Sequence, residues 1–135
     1  MLAPFRQGTI VLASRDEELT SVVSTVLESL GERAPRLSAV RCVSDCLSAV
    51  RLLGPSLLLL DDGIQDVPGR NLLEQVLEAR PGTPVVYVAA HHSLDLEREV
   101  RRRGVLFYIA RPEEKAVLES RLGCILNGLA RGSAR

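Results

Sequence analysis

Aromatic residues are nearly missing from this chain: two Tyr, two Phe and no Trp, 3% of the total. Any core must therefore be aliphatic, and a platform of aromatics for stacking bases is not on offer. No sign of charge dominates. Seventeen basic residues balance seventeen acidic ones, for a net charge of zero. Nothing gives the molecule the positive field that a general grip on nucleic acid or an anionic membrane needs. Cysteines number three, at 42, 46 and 124, with no CxxC pair and no histidine-rich partner motif. That argues against a disulfide framework and a structural zinc site, and the expectation is free thiols in a cytosolic protein. No apolar run approaches the roughly 20 residues of a membrane span, and the opening MLAPFRQG lacks the apolar stretch of a secretion signal. A cytoplasmic location is expected. There is no GxGxxG, no phosphate-binding P-loop and no Ser-His-Asp arrangement, so dinucleotide binding and hydrolase chemistry have no support.

What is present suits a packed domain. Hydrophobic residues make up 46% of 135 residues, enough for one core. One domain over 1–130 is expected, with RGSAR at 131–135 a disordered tail. Short apolar runs alternate with helical patterns. Thr9 to Ala13 reads as a strand buried on both faces. Asp16, Glu17 and Glu18 suit a helix start, and Leu19, Val22, Val23, Val26, Leu27 and Leu30 form one apolar face, ended by Gly31. Leu37 to Cys42 reads as a weaker strand, with Arg36 and Arg41 suggesting an edge. Ser44 or Asp45 is expected to cap a helix carrying Leu47, Val50 and Leu53, stopped by Gly54-Pro55. Leu57 to Leu60 is a second buried strand. A helix with Leu72, Leu73, Val76 and Leu77 follows, then a strand over 84–90. Ser93 caps a helix with Leu94, Leu96 and Val100, closed by Gly104, and 105–110 is the last strand. A final helix turns Leu118, Leu122, Ile125, Leu126 and Leu129 inward.

Five strand-helix units predict an α/β fold: a parallel five-stranded sheet with helices on both faces. In such folds the functional crevice lies at the carboxyl ends of the strands. Those ends are Ser14-Arg15, Asp61-Asp62, Ala89-Ala90 and Ala110-Arg111. Asp61 stands out, because a carboxylate at the mouth of a buried strand needs a cation, donors or a proton. It reads as a nucleophile or metal ligand, with a loop cap or structural ion pair as the plainer alternative.

Two stretches, PSLLLLDDGIQDVPGRNLL and GVLFYIARP, resemble the receiver domain of two-component response regulators over about residues 8 to 130. The longer stretch is similar to that family's strand, acceptor Asp and loop with Gly69 eight residues on. The shorter one is similar to its last strand and Lys-Pro. The resemblance implies a flavodoxin-like (βα)5 three-layer sandwich with strand order 2-1-3-4-5. It also implies that Asp61 matches the residue that takes a phosphoryl group from a histidine kinase. Tyr108 matches the aromatic that reports activation, and Pro112 the proline after the lysine, whose peptide bond is cis in the family. Elsewhere the pattern is broken. The acidic pair that holds Mg²⁺ falls on Ser14 and Arg15, with Asp16 next to them. The Ser/Thr position falls on Ala89, the Lys position on Arg111, and Gln65 stands where a loop proline is common.

These departures imply a degenerate receiver. Mg²⁺ wants several oxygen ligands, so the loss of two carboxylates puts its binding in doubt, and no cofactor is expected. Phosphoryl transfer without the ion loses most of its charge neutralisation. An ion pair of Asp61 with Arg15, Arg111 or both would replace the metal. The expectation is a non-enzymatic signalling module that works by protein-protein contact. The resemblance implies that its face is the fourth helix, fifth strand and fifth helix, used for docking or as a possible homodimer, and that an output domain could belong to a longer regulator. The alternative is a working phosphoacceptor at Asp61. Direct nucleic-acid and membrane contacts are not expected. Arg98, Arg101, Arg102 and Arg103 read first as a solvated helix face. His91 and His92 read as exposed loop residues, and the Tyr108 hydroxyl is expected in water unless it acts as a switch.

Overall fold

In the computed structural model of the chain, residues 8–65, 71–111 and 114–130 are described. The family matches at Gly69 and Pro112 and the expected tail at 131–135 lie outside the described residues. Five strands alternate with five helices: β1 Thr9–Ala13, α1 Glu17–Ser29, β2 Arg36–Val40, α2 Val43–Leu53, β3 Leu57–Asp61, α3 Asn71–Ala79, β4 Val85–Ala89, α4 Leu94–Arg102, β5 Phe107–Ala110 and α5 Lys115–Ala130. The strands form one parallel sheet in the order β2-β1-β3-β4-β5, as expected.

Strand alternation splits the core into two layers. Ile10, Leu12, Leu57, Leu59, Val86, Val88 and Ile109 face α1 and α5 on one side. Val11, Ala13, Leu58, Leu60, Val85, Tyr87 and Ala89 face α2, α3 and α4 on the other. Every residue of β3 and β4 is buried, which is why these strands read as unbroken apolar runs. The six apolar residues expected on the α1 face are all buried.

Several boundaries differ from the sequence reading, each for a local reason. β2 ends at Val40, because the chain leaves the sheet to start α2. The N-cap of α2 is Cys42, not Ser44 or Asp45; its backbone is extended, and those two residues lie inside the first turn. The buried face of α2 is Cys46, Ala49 and Val50, while Leu53 is 48% exposed. The Cys46 thiol is pushed up to about 11, by burial first and then by the nearby Cys42. β4 starts after Pro84, which has no N–H to give. β5 starts only at Phe107, although the Leu106 N–H already donates to the Val85 carbonyl at 2.8 Å. Ser93 caps α4 as expected, accepting from the Leu96 N–H at 3.0 Å. Leu94, expected on the inner face of that helix, is 64% exposed instead. It is the first residue of the helix and stands clear of the core. At the end of α2, Gly54 sits at φ 52°, a left-handed cap that L side chains rarely adopt.

Candidate functional site

Parallel strands all deliver their carboxyl ends to one edge of the sheet. Ser14, Asp61 and Asp62, Ala89 and Ala90, and Arg111 therefore converge there. A crevice of about 280 Å³ opens among Arg15, Asp16, Asp61, Gly63, Ala90 and Arg111. Ser14 and Asp61 are buried, each 3% exposed. Ala89 is wholly buried and brings no side-chain donor.

Asp61 is satisfied by the protein itself. The Ser14 hydroxyl donates to its Oδ2 at 2.7 Å, and the Gly63 N–H donates to its Oδ1 at 3.0 Å. Gly63 allows that approach: a Cβ there would lie 3.2 Å from the same oxygen and 3.5 Å from the Ala90 Cβ. The Arg111 guanidinium is 3.9 Å from Asp61 Oδ2, an ion-pair distance but not a hydrogen bond. Its close partner is Asp16 Oδ2, at 2.5 Å. Asp16 Oδ1 meanwhile caps α1, accepting from the N–H groups of Glu18 and Leu19. Burial alone would raise the Asp16 pKa. The Arg111 hydrogen bond, the two backbone donors and the guanidinium charge outweigh it and hold the carboxyl below its ordinary value. Arg15 directs its Nε to the Arg41 carbonyl at 3.3 Å. Of the two cations expected beside Asp61, Arg111 stands at ion-pair distance, and it serves Asp16 first.

The loop position that falls to Gln65 also has a local use. Its side chain accepts from the Leu72 N–H at 2.7 Å, satisfying a backbone donor in the first turn of α3.

Sequence reasoning passed over the most buried acid of the edge. Asp62 is wholly buried. Its Oδ2 accepts from the Tyr87 hydroxyl at 2.7 Å and its Oδ1 from the Ala90 N–H at 2.8 Å. Desolvation raises its pKa, and the nearby Asp61 adds to that; its two donors and His91 pull the other way. The Tyr87 hydroxyl is pushed far up, first by burial and then by the Asp62 carboxyl. The signal in the sequence was a tandem Asp after four leucines together with the lone aromatic of β4. The Tyr108 hydroxyl is not simply in water: it lies 2.9 Å from His92 Nδ1, and its ring stacks on Tyr87 at 5.9 Å and 6°. Burial first, and the Glu97 and Asp62 charges next, push Tyr108 up to about 12.

The receiver likeness raises the question of Mg²⁺, and the residues here do not fit it. A hydroxyl stands at Ser14 and a guanidinium at Arg15. Both oxygens of Asp16 are engaged by Arg111 and the α1 backbone. Asp61 alone is a poor set for a hard cation that prefers several oxygens. Among the described residues no group of three His, Cys, Asp or Glu could hold a metal. Three of the four arginines clustered on α4 and at its end are held in exposed pairs: Arg101 with Glu97, Arg102 with Glu99, and Arg103 with Glu74 of α3.

No family model matches the chain. It is 33% identical over 70 residues to the regulatory protein LuxO of Vibrio cholerae, which is 52% of this chain and 15% of that protein. The chain spans between 15% and 22% of the length of the LuxO proteins it matches. In structure it is similar to a CheY-like response regulator receiver domain from Methanospirillum hungatei, with TM-score 0.71 and 20% identity over 94% of this chain and 99% of that one. It is also similar to the signal receiver domain of a LuxO repressor from Vibrio parahaemolyticus, with TM-score 0.66 and 19% identity over 90% and 91%. The chain has the receiver-domain fold of response regulators, and it resembles such regulators in sequence over half of its length.

Proposed function

We propose that this chain is a signalling receiver, formed by residues 1–130, that acts through protein-protein contact and is not switched by phosphorylation of Asp61. The supporting observation is the hydrogen-bonded and ion-paired state of the crevice. Asp61 is held by Ser14 and Gly63, and Arg111 and Asp16 neutralise each other beside it. A phosphoryl group on Asp61 would bring about two negative charges into this edge. The groups that would have to receive it are a hydroxyl already donating to the acceptor, a guanidinium already paired and an alanine. Phosphoryl transfer is catalysed by charge neutralisation and positioning, and here both are otherwise employed.

Docking is assigned to the face of α4, β5 and α5. Leu94, Leu106, Phe107 and Val117 of those elements and their junctions are exposed apolar residues, between 37% and 64% accessible. Partners of that kind are kinases, other regulators, an output domain or a second copy, met in the cytoplasm. No helix among the described residues is long and apolar enough to cross a membrane. A second reading, phosphoacceptance at Asp61, is favoured by one observation: the crevice beside it is open enough to admit a small phosphodonor.

Incubation with acetyl phosphate and Mg²⁺, followed by intact mass measurement, tests the choice. No mass gain in the wild type supports the proposal. A stoichiometric gain of one phosphoryl group that vanishes in Asp61→Asn would establish the second reading.

A further inference from the structure

Asp62 does not line the crevice beside Asp61, yet among the described residues it is the most completely buried acid at the sheet edge. A carboxylate taken out of water is tolerated only with its oxygens satisfied. Both of its donors come from β4 and the residue after it, Tyr87 and Ala90. One side chain at the end of β3 thus ties down the middle of β4 and the start of the loop leading to α4.

The contacts continue outward. Tyr87 pairs in register with Tyr108 of β5, and the rings lie parallel. The Tyr108 hydroxyl meets His92 in the same β4 to α4 loop, and the Arg101 guanidinium of α4 lies 5.8 Å over its ring. The path returns to the loop it started from: Asp62 to Ala90, Asp62 to Tyr87, Tyr87 to Tyr108, Tyr108 to His92. Such a ring of contacts holds the loop at two points, Ala90 and His92. Ala89, with no hydroxyl, adds no competing side-chain anchor at the crevice.

We propose that Asp62 is a buried carboxyl that holds the β4 to α4 loop and the Tyr108–His92 contact in one arrangement, so that the surface of α4 and β5 is displayed constantly, whatever the state of Asp61. This role deepens the phosphorylation-independent reading and rests on it for its purpose. Coupling through packed rings and hydrogen bonds is a physical claim only when a perturbation at one end is read at the other.

The experiment records the Ala90 amide, the Tyr108 ring signals and the His92 imidazole nitrogens by NMR in the full chain. Asp62→Asn is nearly isosteric and keeps an acceptor for Ala90, so it changes charge with little change of shape. Tyr87→Phe keeps the ring stack and removes only the hydroxyl. Displaced Tyr108 and His92 signals in both variants, unmoved in Asp61→Asn, are the expected result. Signals that stay in place in both variants while the Ala90 amide shifts would overturn the relay. Beryllofluoride with Mg²⁺ provides the separate check on Asp61. A wild-type Tyr108 response that Asp61→Asn abolishes would overturn the constant display and the phosphorylation-independent reading together. The Asp62→Asn result would still decide whether the relay exists.

Discussion

Replacing Tyr87 by Phe removes one oxygen from a wholly buried site and should be costly in a way that depends on pH. The hydroxyl donates to Asp62 Oδ2 at 2.7 Å, and both residues are inaccessible to solvent. A hydrogen bond to a charged group contributes about 1.5–3 kcal/mol, so a loss of about 2 kcal/mol is expected at pH 7. Burial, with Asp61 nearby, raises the Asp62 pKa. The folded state therefore keeps this proton to a higher pH than the unfolded chain does. The contribution of the carboxyl to stability is fully present below its unfolded value and is lost as pH rises through the folded one. As pH falls, the raised pKa lets this carboxyl take up its proton before an ordinary one does, and once it is neutral only a neutral hydrogen bond of about 1 kcal/mol is at stake. Urea unfolding followed by far-ultraviolet circular dichroism at pH 7 and pH 4 reads both numbers. With a slope of about 2 kcal/mol per molar for a small domain, the pH 7 midpoint should fall by about 1 M and the pH 4 midpoint by less, toward about half that as the carboxyl gains its proton. A loss below about 0.5 kcal/mol at pH 7, or an equal loss at both pH values, would refute a charged, donor-dependent Asp62.

Further outcomes follow from the same contacts. Asp16→Asn keeps a helix cap but removes the charge paired with Arg111. Because Asp16 is 36% exposed, the cost should stay below about 1 kcal/mol at pH 7. With its folded pKa lowered, that stabilisation is present above the unfolded value and is lost as pH falls through the folded one, so thermal melts of the two proteins should converge in acid. Leu59→Ala, at a position 1% exposed in the first core layer, should cost about 2–5 kcal/mol in the same urea assay. Ser14→Asp combined with Arg15→Asp should create a Mg²⁺-dependent rise in melting temperature that the wild type lacks, through binding to the folded state alone. A Mg²⁺ response already present in the wild type would count against the charge-neutral crevice.

The fold was legible because its signals are local and redundant. Four leucines ending in Asp61, the α1 stripe from Leu19 to Leu30, and the Ser93 cap each name an element without outside help. Alternation of such elements then leaves few topologies. Boundaries were less legible where two signals compete. Ser44 and Asp45 are good caps, yet the turn begins at Cys42, because the extended backbone ends there and the helix must place Cys46 and Val50 on the sheet. Leu53 and Leu94 were expected to face inward, but each lies at a helix end, beyond the reach of the core. At the site, strand ends could be named from the alternation, so Ser14, Asp61, Ala89 and Arg111 were within reach. Which oxygen meets which donor was not. The Arg111 to Asp16 pair and the Asp62 to Tyr87 bond join residues 95 and 25 positions apart, and side-chain reach decides both.

The departures at the crevice make physical sense as a set. Two carboxylates, Asp16 and Asp61, face one close guanidinium, Arg111, with Arg15 lining the same space. The formal charge of that group is zero, with no divalent ion required. Restoring a carboxylate at Ser14 alone would break this balance. It would place a like charge where a hydroxyl now donates to Asp61 at 2.7 Å, and one of the two acids would be driven to hold a proton. A lysine at Arg111 alone would put a compact ammonium in place of the guanidinium nitrogen that pairs with Asp16 and stands 3.9 Å from Asp61. Single replacements toward the receiver pattern should therefore be worse than either the present set or a full complement of acids with metal. Ser14, Arg15 and Arg111 are thus coupled through charge, and double-mutant cycles between Ser14 and Arg111 should show an interaction energy well away from zero.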